Sequence, residues 1–415
     1  MRVVQITDGS PDVERSIGAQ GVHTPAFRLL TGAWITSLVG DGVRTVALPL
    51  YTAVSTRSPL AASAVAVAVV LPWLLVALPA GVLVDRWRPR LVVAVAHTFR
   101  ALVTGLLAWA VFTDSAGVAL LCALGFLLTS AETFADSASQ VLLVELAGPA
   151  DLEAANSRFV TAETVGMDLV GPLAASLLFW WHPAACFALD ALTFVVAAVF
   201  VARVPEVARP EAARPERTGT VRGQFTEGIA YLFRQPGLRV LVLAVGVSAV
   251  CAAAVNAMLS LYSITVLGLP EEWVPWLVVV MSLGALSGAR LSPVLAARLG
   301  GAPVMVGALA LLGVAFAVFG GVPWVPVAVV AAFCFGLASA GWNVLSATRR
   351  QRLTPVPMMG RVTSAYRVLA WGLSPIGAGL AGPLAAATTL GTVYLVAGGV
   401  VVLTAAVLAR PLART

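Results

Sequence analysis

The chain has 415 residues, 59% of them hydrophobic and 11% charged, with a formal charge of +6 and a mean hydropathy of +0.93. Soluble domains carry about a quarter charged residues, so this composition excludes that class. All 26 basic residues are Arg, most of them outside the apolar runs in loops on alternate sides, which excludes a basic face for nucleic acid.

In chain order, residues 1–27 are a polar tail without the apolar core of a signal peptide, so the first span reads as an uncleaved insertion signal. Apolar runs of roughly 18–25 residues follow, long enough to cross a ~30 Å hydrocarbon core. Their continuity argues for helices over the alternating strands of a barrel. Spans are expected near 28–53, 60–84, 91–112, 117–139, 158–181 and 184–203. Residues 204–235 form a charged linker with Pro205, Pro210 and Pro215. Within it Phe225, Ile229, Leu232 and Phe233 fall at helical spacing, predicting a short amphipathic helix on the membrane surface or packed under the second half. A second set of spans is expected near 237–262, 273–292, 302–320, 324–346, 362–386 and 390–409, before a tail at 411–415. The sets 28–203 and 236–410 are nearly equal in length. They predict an all-α membrane protein of twelve helices in two six-helix bundles related by a repeat.

A cytoplasmic N-terminus puts Arg86, Arg88 and Arg90, the linker arginines, and Arg349, Arg350, Arg352 and Arg361 on one side, leaving Arg57 opposite. The positive-inside rule therefore expects both termini in the cytoplasm of a cell-membrane protein. Cys122, Cys186, Cys251 and Cys334 fall inside spans without metal-ligand spacing, and read as small buried residues.

Ionisable groups inside spans are expensive and so are candidates for function. Asp41 and Arg44 lie at i, i+3 in the first span and can pair. Asp41 reads as a proton site tuned by Arg44, or else as half of a structural ion pair. Glu132 and Asp136 stack at i, i+4 in the fourth span, suited to sharing a proton, although Asp136 could instead pair with Arg158. Glu163 and Asp168 are five apart, on different faces of an α-helix, with Asp168 the one expected to line the cavity. His97 reads as a packing residue, and Arg100 as a counter-charge for a carboxylate of the fourth or fifth span. The chain contains no Asp or Glu after Glu272. Coupling through acids must then sit in the first half, while Asn256, Trp342, Asn343, Tyr366 and Trp371 are the candidates of the second half for substrate contact.

The loop after the second span reads Gly81-Val-Leu-Val-Asp85-Arg86-Trp87-Arg88-Pro89-Arg90, which resembles the Gly-x-Leu-x-Asp-Arg-x-Gly-Arg-Arg motif of the major facilitator superfamily, with Pro89 a departure. Gly81 would admit a neighbouring helix, and Asp85 would face the start of a helix near Gly360-Arg361. Gly40-Asp41-Gly42, Ala47-Leu48-Pro49, Arg100-Ala101-Leu102, Gly171-Pro172, Phe187 through Phe194 with Asp190, and Gly360-Arg361-Val362 resemble the drug and siderophore exporters of that superfamily. Trp342-Asn343 is similar to a pattern of the tenth span. Met167 stands where antiporters carry a glycine, so their glycine-rich run is degraded here.

The resemblance implies a monomeric secondary transporter using the proton gradient and no cofactor, exporting an amphipathic small molecule such as a drug, antibiotic or secondary metabolite. A siderophore exporter, a lysophospholipid flippase and a non-transporting sensor or assembly partner are the alternatives. No Gly-x-x-x-x-Gly-Lys-Ser/Thr loop, metal-ligand cluster or nucleophile elbow is found, so no enzymatic activity is expected.

Overall fold

The computed structural model describes residues 21–84, 86–205, 221–355 and 358–414, and all regular structure in them is helical. In chain order the helices are α1 (Pro25–Thr56), α2 (Pro59–Leu75), α3 (Ala77–Val84), α4 (Pro89–Phe112) and α5 (Val118–Glu163). A π-helical turn (Thr164–Val170) leads into α6 (Gly171–Trp181), α7 (Pro183–Ala202) and the linker helix α8 (Val221–Arg234). The second set comprises α9 (Pro236–Thr265), α10 (Val274–Leu299), α11 (Gly301–Gly321), α12 (Val325–Leu353), α13 (Met359–Trp371), α14 (Ser374–Ala387) and α15 (Leu390–Arg414). Ten stretches are long and apolar enough to cross a membrane. With α1, whose middle carries Asp41 and Arg44, and the shorter α2, the architecture is consistent with twelve spans.

The helix starts are written into the sequence. Pro25, Pro59, Pro89, Pro183 and Pro236 each open a helix, where the fixed φ helps and the missing N–H costs nothing. Thr24 and Ser58 accept hydrogen bonds from the Phe27 and Ala61 amides, capping α1 and α2. Helix lengths depart from expectation in one place above all. α5 does not stop near residue 139 but continues to Gly148, whose φ of 70° and ψ of 169° break the helix before it resumes. Leu142, Leu143 and Leu146 are buried against α1 residues such as Phe27 and Leu30, so an apolar face extends this helix past the expected end.

The repeat, faint in the residues, is plain in the packing. α4 packs on α7 as α11 packs on α15, and α10 packs on α12 as α2 packs on α5. Gly171 of α6 lies against the backbone of Gly42 in α1, and Gly377 of α14 lies against Val250 in α9. Each crossing needs the absent side chain, because small residues are what let membrane helices approach closely. The cores nevertheless differ. Tyr262, Phe319 and Tyr394 form a neutral ring cluster in the second bundle, with centroids 4.9–5.4 Å apart, where the first holds charges.

The bundles meet at the end bearing Arg57. Ser63 donates to the Ala378 carbonyl, and Ser176 donates to Glu272 O at 2.6 Å. At the arginine-rich end a Cβ on Gly81 would meet nothing within 4 Å. The two bundles are thus joined by hydrogen bonds at the Arg57 end. The linker helix packs under the second bundle. Leu232 is buried, Tyr231 Oη reaches Leu353 O at 3.5 Å, and Glu227 pairs with Arg361 at 2.6 Å. The side chain of Phe225, expected on its apolar face, lies outside the described residues.

Candidate functional site

Three helices converge on Gly40-Asp41-Gly42. A Cβ at Gly40 would strike Asp190 and Thr193 of α7, and one at Gly42 would lie 2.6 Å from Met167 O in the π-helical turn. The two glycines thus let α6 and α7 close on α1 from either side, and Asp41 between them becomes buried. It is 4% exposed, Arg44 3%, Arg100 2% and Asp190 0%. Each would be prohibitively costly alone at this depth, so the charges must meet.

They do meet. Arg44 Nη2 donates at 2.8 Å to both Asp41 Oδ1 and Glu132 Oε2. Arg100 Nη2 donates to Asp41 Oδ1 and lies 3.5 Å from Glu132 Oε2. Arg44 Nε stands 3.5 Å from Asp190 Oδ2. The Arg100 guanidinium also lies over the Phe194 ring, 4.0 Å from its centroid, a contact that strengthens when water is excluded. His97 stacks on the same ring at 5.9 Å. One network therefore joins α1, α4, α5 and α7. The Asp41–Arg44 pair was expected from spacing. Arg100 was expected to offset a carboxylate of the fourth or fifth span and lies beside Glu132; its bond to Asp41, and the place of Asp190 beside Arg44, were not expected, because residues 59 and 146 positions apart meet only through helix packing.

The remaining candidates scatter. Asp136 is exposed, and Arg158, its expected partner, instead donates to Val22 O at 2.7 Å and lies near Phe27. Asp168 is exposed on the π-helical turn and takes no place in the network. In this turn the amide of Gly171 bonds Gly166 O, the i→i+5 pattern. Glu163 and Asp168, which an α-helix would set on different faces, are thereby brought round toward one side. Arg90 donates to the Ala202 carbonyl, closing the end of α7, and Arg86 is exposed. A Cβ on Gly81 would meet no atom within 4 Å, so the close helix approach expected of it is not seen among the described residues, and Arg361 is engaged by Glu227. Asp85 lies outside the described residues.

In the second bundle Asn256 and Asn343 are exposed, while Trp342 and Tyr366 are buried together with Leu309 and Ala405. Arg350 covers the Tyr366 ring at 4.1 Å. Those two rings are core in this conformation and do not form an open wall. The Trp371 side chain lies outside the described residues. Arg290, unremarked in the sequence, is exposed well inside α10, because that helix runs to Leu299 and not to the expected residue 292.

A family model described as Major Facilitator Superfamily matches residues 30–379. The chain is 28% identical over 384 residues to the multidrug efflux pump Tap of Mycolicibacterium fortuitum, an alignment covering 88% of this chain and 91% of that one. Among solved structures it is similar to the nucleoside transporter NupG, with a TM-score of 0.75, 15% identity and coverage of 93% and 98%. It is also similar to a bacterial homologue of the iron transporter ferroportin in its inward-facing state, with a TM-score of 0.72, 18% identity and coverage of 94% and 99%. At these identities the structural likeness shows the fold alone.

Proposed function

We propose, given that the chain belongs to the Major Facilitator Superfamily, that it is a proton-driven exporter of amphipathic, cation-bearing small molecules working by alternating access. The observation that carries this reading is the buried network of the first bundle, which sets three carboxylates against two guanidinium groups. A scaffold would be more stable with apolar residues there, whereas a group that must gain and lose a proton needs acids inside the membrane. Glu132, at 16% side-chain exposure, is the member nearest water, and Asp136 one turn along is open to it. Asp41 is held between both arginines. Asp168 offers a further carboxylate to a cationic substrate, with Asn256 and Asn343 as polar contacts on the facing bundle.

The relative in Mycolicibacterium fortuitum is named a multidrug efflux pump, which supports the substrate class. The arginine-rich loops support a cytoplasmic placement of their end and of both termini, and the hydrogen bonds joining the bundles at the Arg57 end support reading this conformation as inward-open. The working unit is a monomer in the cell membrane.

The test uses inside-out membrane vesicles acidified within. They are expected to accumulate a fluorescent lipophilic cation, to lose it on adding a protonophore, and to fail when Glu132→Gln is introduced. Uptake that ignores the protonophore overturns proton coupling. Uptake of a siderophore or lysophospholipid, with none of any lipophilic cation, overturns the substrate class.

A further inference from the structure

We infer that in the inward-open conformation the transported proton rests on Asp190, with Arg44 as the switch that holds it there or expels it; this rests on the proton-coupled reading above. Asp190 is wholly buried, and neither carboxylate oxygen accepts a hydrogen bond from a described residue. The charged or titratable groups around it are Asp41 and Arg44 on α1, His97 and Arg100 on α4, and Glu132 with Asp136 on α5. α6, which also packs on α7, contributes none.

The donors are unevenly shared. Asp41 receives both guanidinium groups and Glu132 receives Arg44 at 2.8 Å with Arg100 at 3.5 Å. Asp190 is left with Arg44 Nε at 3.5 Å, and that Nε itself lacks an acceptor. Arginine stays charged in proteins, so three ionised carboxylates would leave one negative charge in excess inside the bundle. A buried charge without donors is the dearest arrangement available. Putting the proton on the carboxyl with the fewest donors removes both penalties at once, and that carboxyl is Asp190.

The same geometry supplies a release step. Arg44 reaches Glu132 through Nη2 and Asp190 through Nε. A cationic substrate that neutralises Glu132 frees the guanidinium to turn fully onto Asp190. The O–H bond of Asp190 then breaks, its proton leaves to water by way of the Glu132–Asp136 face, and the carboxylate pairs with Arg44. Reprotonation reverses the sequence and returns Arg44 to Glu132.

Infrared difference spectroscopy on the full chain in lipid tests this without any transport measurement. The wild type is expected to show the carbonyl stretch of a buried protonated carboxylic acid, diminished on adding a lipophilic cation. Asp190→Asn should abolish the band, Glu132→Gln should diminish it by freeing Arg44 for Asp190, and Asp168→Asn, outside the network, should keep it. Where Asp190→Asn does not accumulate as folded protein, Asp190→Glu should shift the band. A band that persists unshifted in the Asp190 variants, stays undiminished in Glu132→Gln, or vanishes in Asp168→Asn, overturns the assignment. In vesicles, residual counterflow by Asp190→Asn should no longer vary with pH; counterflow with the wild-type pH profile overturns the switch. A wild type indifferent to protonophore would instead defeat the proton-coupled reading, while leaving the infrared band to be assigned on its own.

Discussion

Replacing Arg100 by Met removes the counter-charge of the network while keeping its volume. The guanidinium serves three partners: Asp41, Glu132 at 3.5 Å, and the Phe194 ring at 4.0 Å. Without it, three carboxylates face Arg44 alone. Breaking a buried ion pair from one side costs about 3–5 kcal/mol, and a desolvated cation–π contact contributes about 2 kcal/mol. Adding Asp41→Asn restores the wild-type proportion of one more carboxyl group than guanidinium, which the proton on Asp190 offsets, but not the ring contact. The double variant should therefore lie within ~2 kcal/mol of the wild type, well above Arg100→Met alone. Thermal melts of the purified chain in lipid nanodiscs, followed by tryptophan fluorescence, rank the four proteins of this cycle. A single Arg100→Met variant as stable as the wild type, or a double variant no better than the single, would refute the reasoning that charge balance sets the stability of this core.

Two further outcomes are expected. Gly171→Val, whose Cβ would sit 2.5 Å from the Gly42 Cα, should destabilise by about 1–3 kcal/mol through overpacking and abolish transport; Gly399→Ala, with nothing within 4 Å of its Cβ, should match the wild type in the same melts. Glu227→Gln breaks an ion pair that is 54% and 33% exposed at its two side chains, so it should cost no more than ~1 kcal/mol, and a larger loss in nanodisc melts would assign the linker helix a heavier role in holding α13.

What could be read from residues alone was what local spacing controls. Apolar run length marked the spans, prolines marked helix starts, and the i, i+3 interval marked Asp41 with Arg44. Arg100 and Asp190 carried a different kind of information. Each was visible as an unusual charge, but its partner depends on how Gly40 and Gly42 let α6 and α7 close on α1, and only the packed helices show that. The π-helical turn was invisible for another reason. One extra residue in a turn leaves the apolar pattern of Thr164–Val170 unremarkable, yet it undoes the facing inferred for Glu163 and Asp168. Trp342 was a candidate for substrate contact because Trp342-Asn343 resembles a pattern of the tenth span, but neighbours on a helix point about 100° apart, and here one ring is buried while the amide is exposed.

The bare contact of Gly171 with Gly42 acts as a fulcrum. No side chains interlock at that point, so α6 and the segment leading into it can tilt on α1 with little resistance at the crossing itself. From Gly171 back to Ala150 is about 30 Å at 1.5 Å per residue, so a tilt of about 10° sweeps the far end through about 5 Å. Asp41, one residue from the fulcrum, moves by well under 1 Å in the same swing. Large displacement at the mouth and near stillness at the carboxylate are thus delivered by a single motion. An opening gate need not disturb the geometry on which a bound proton depends.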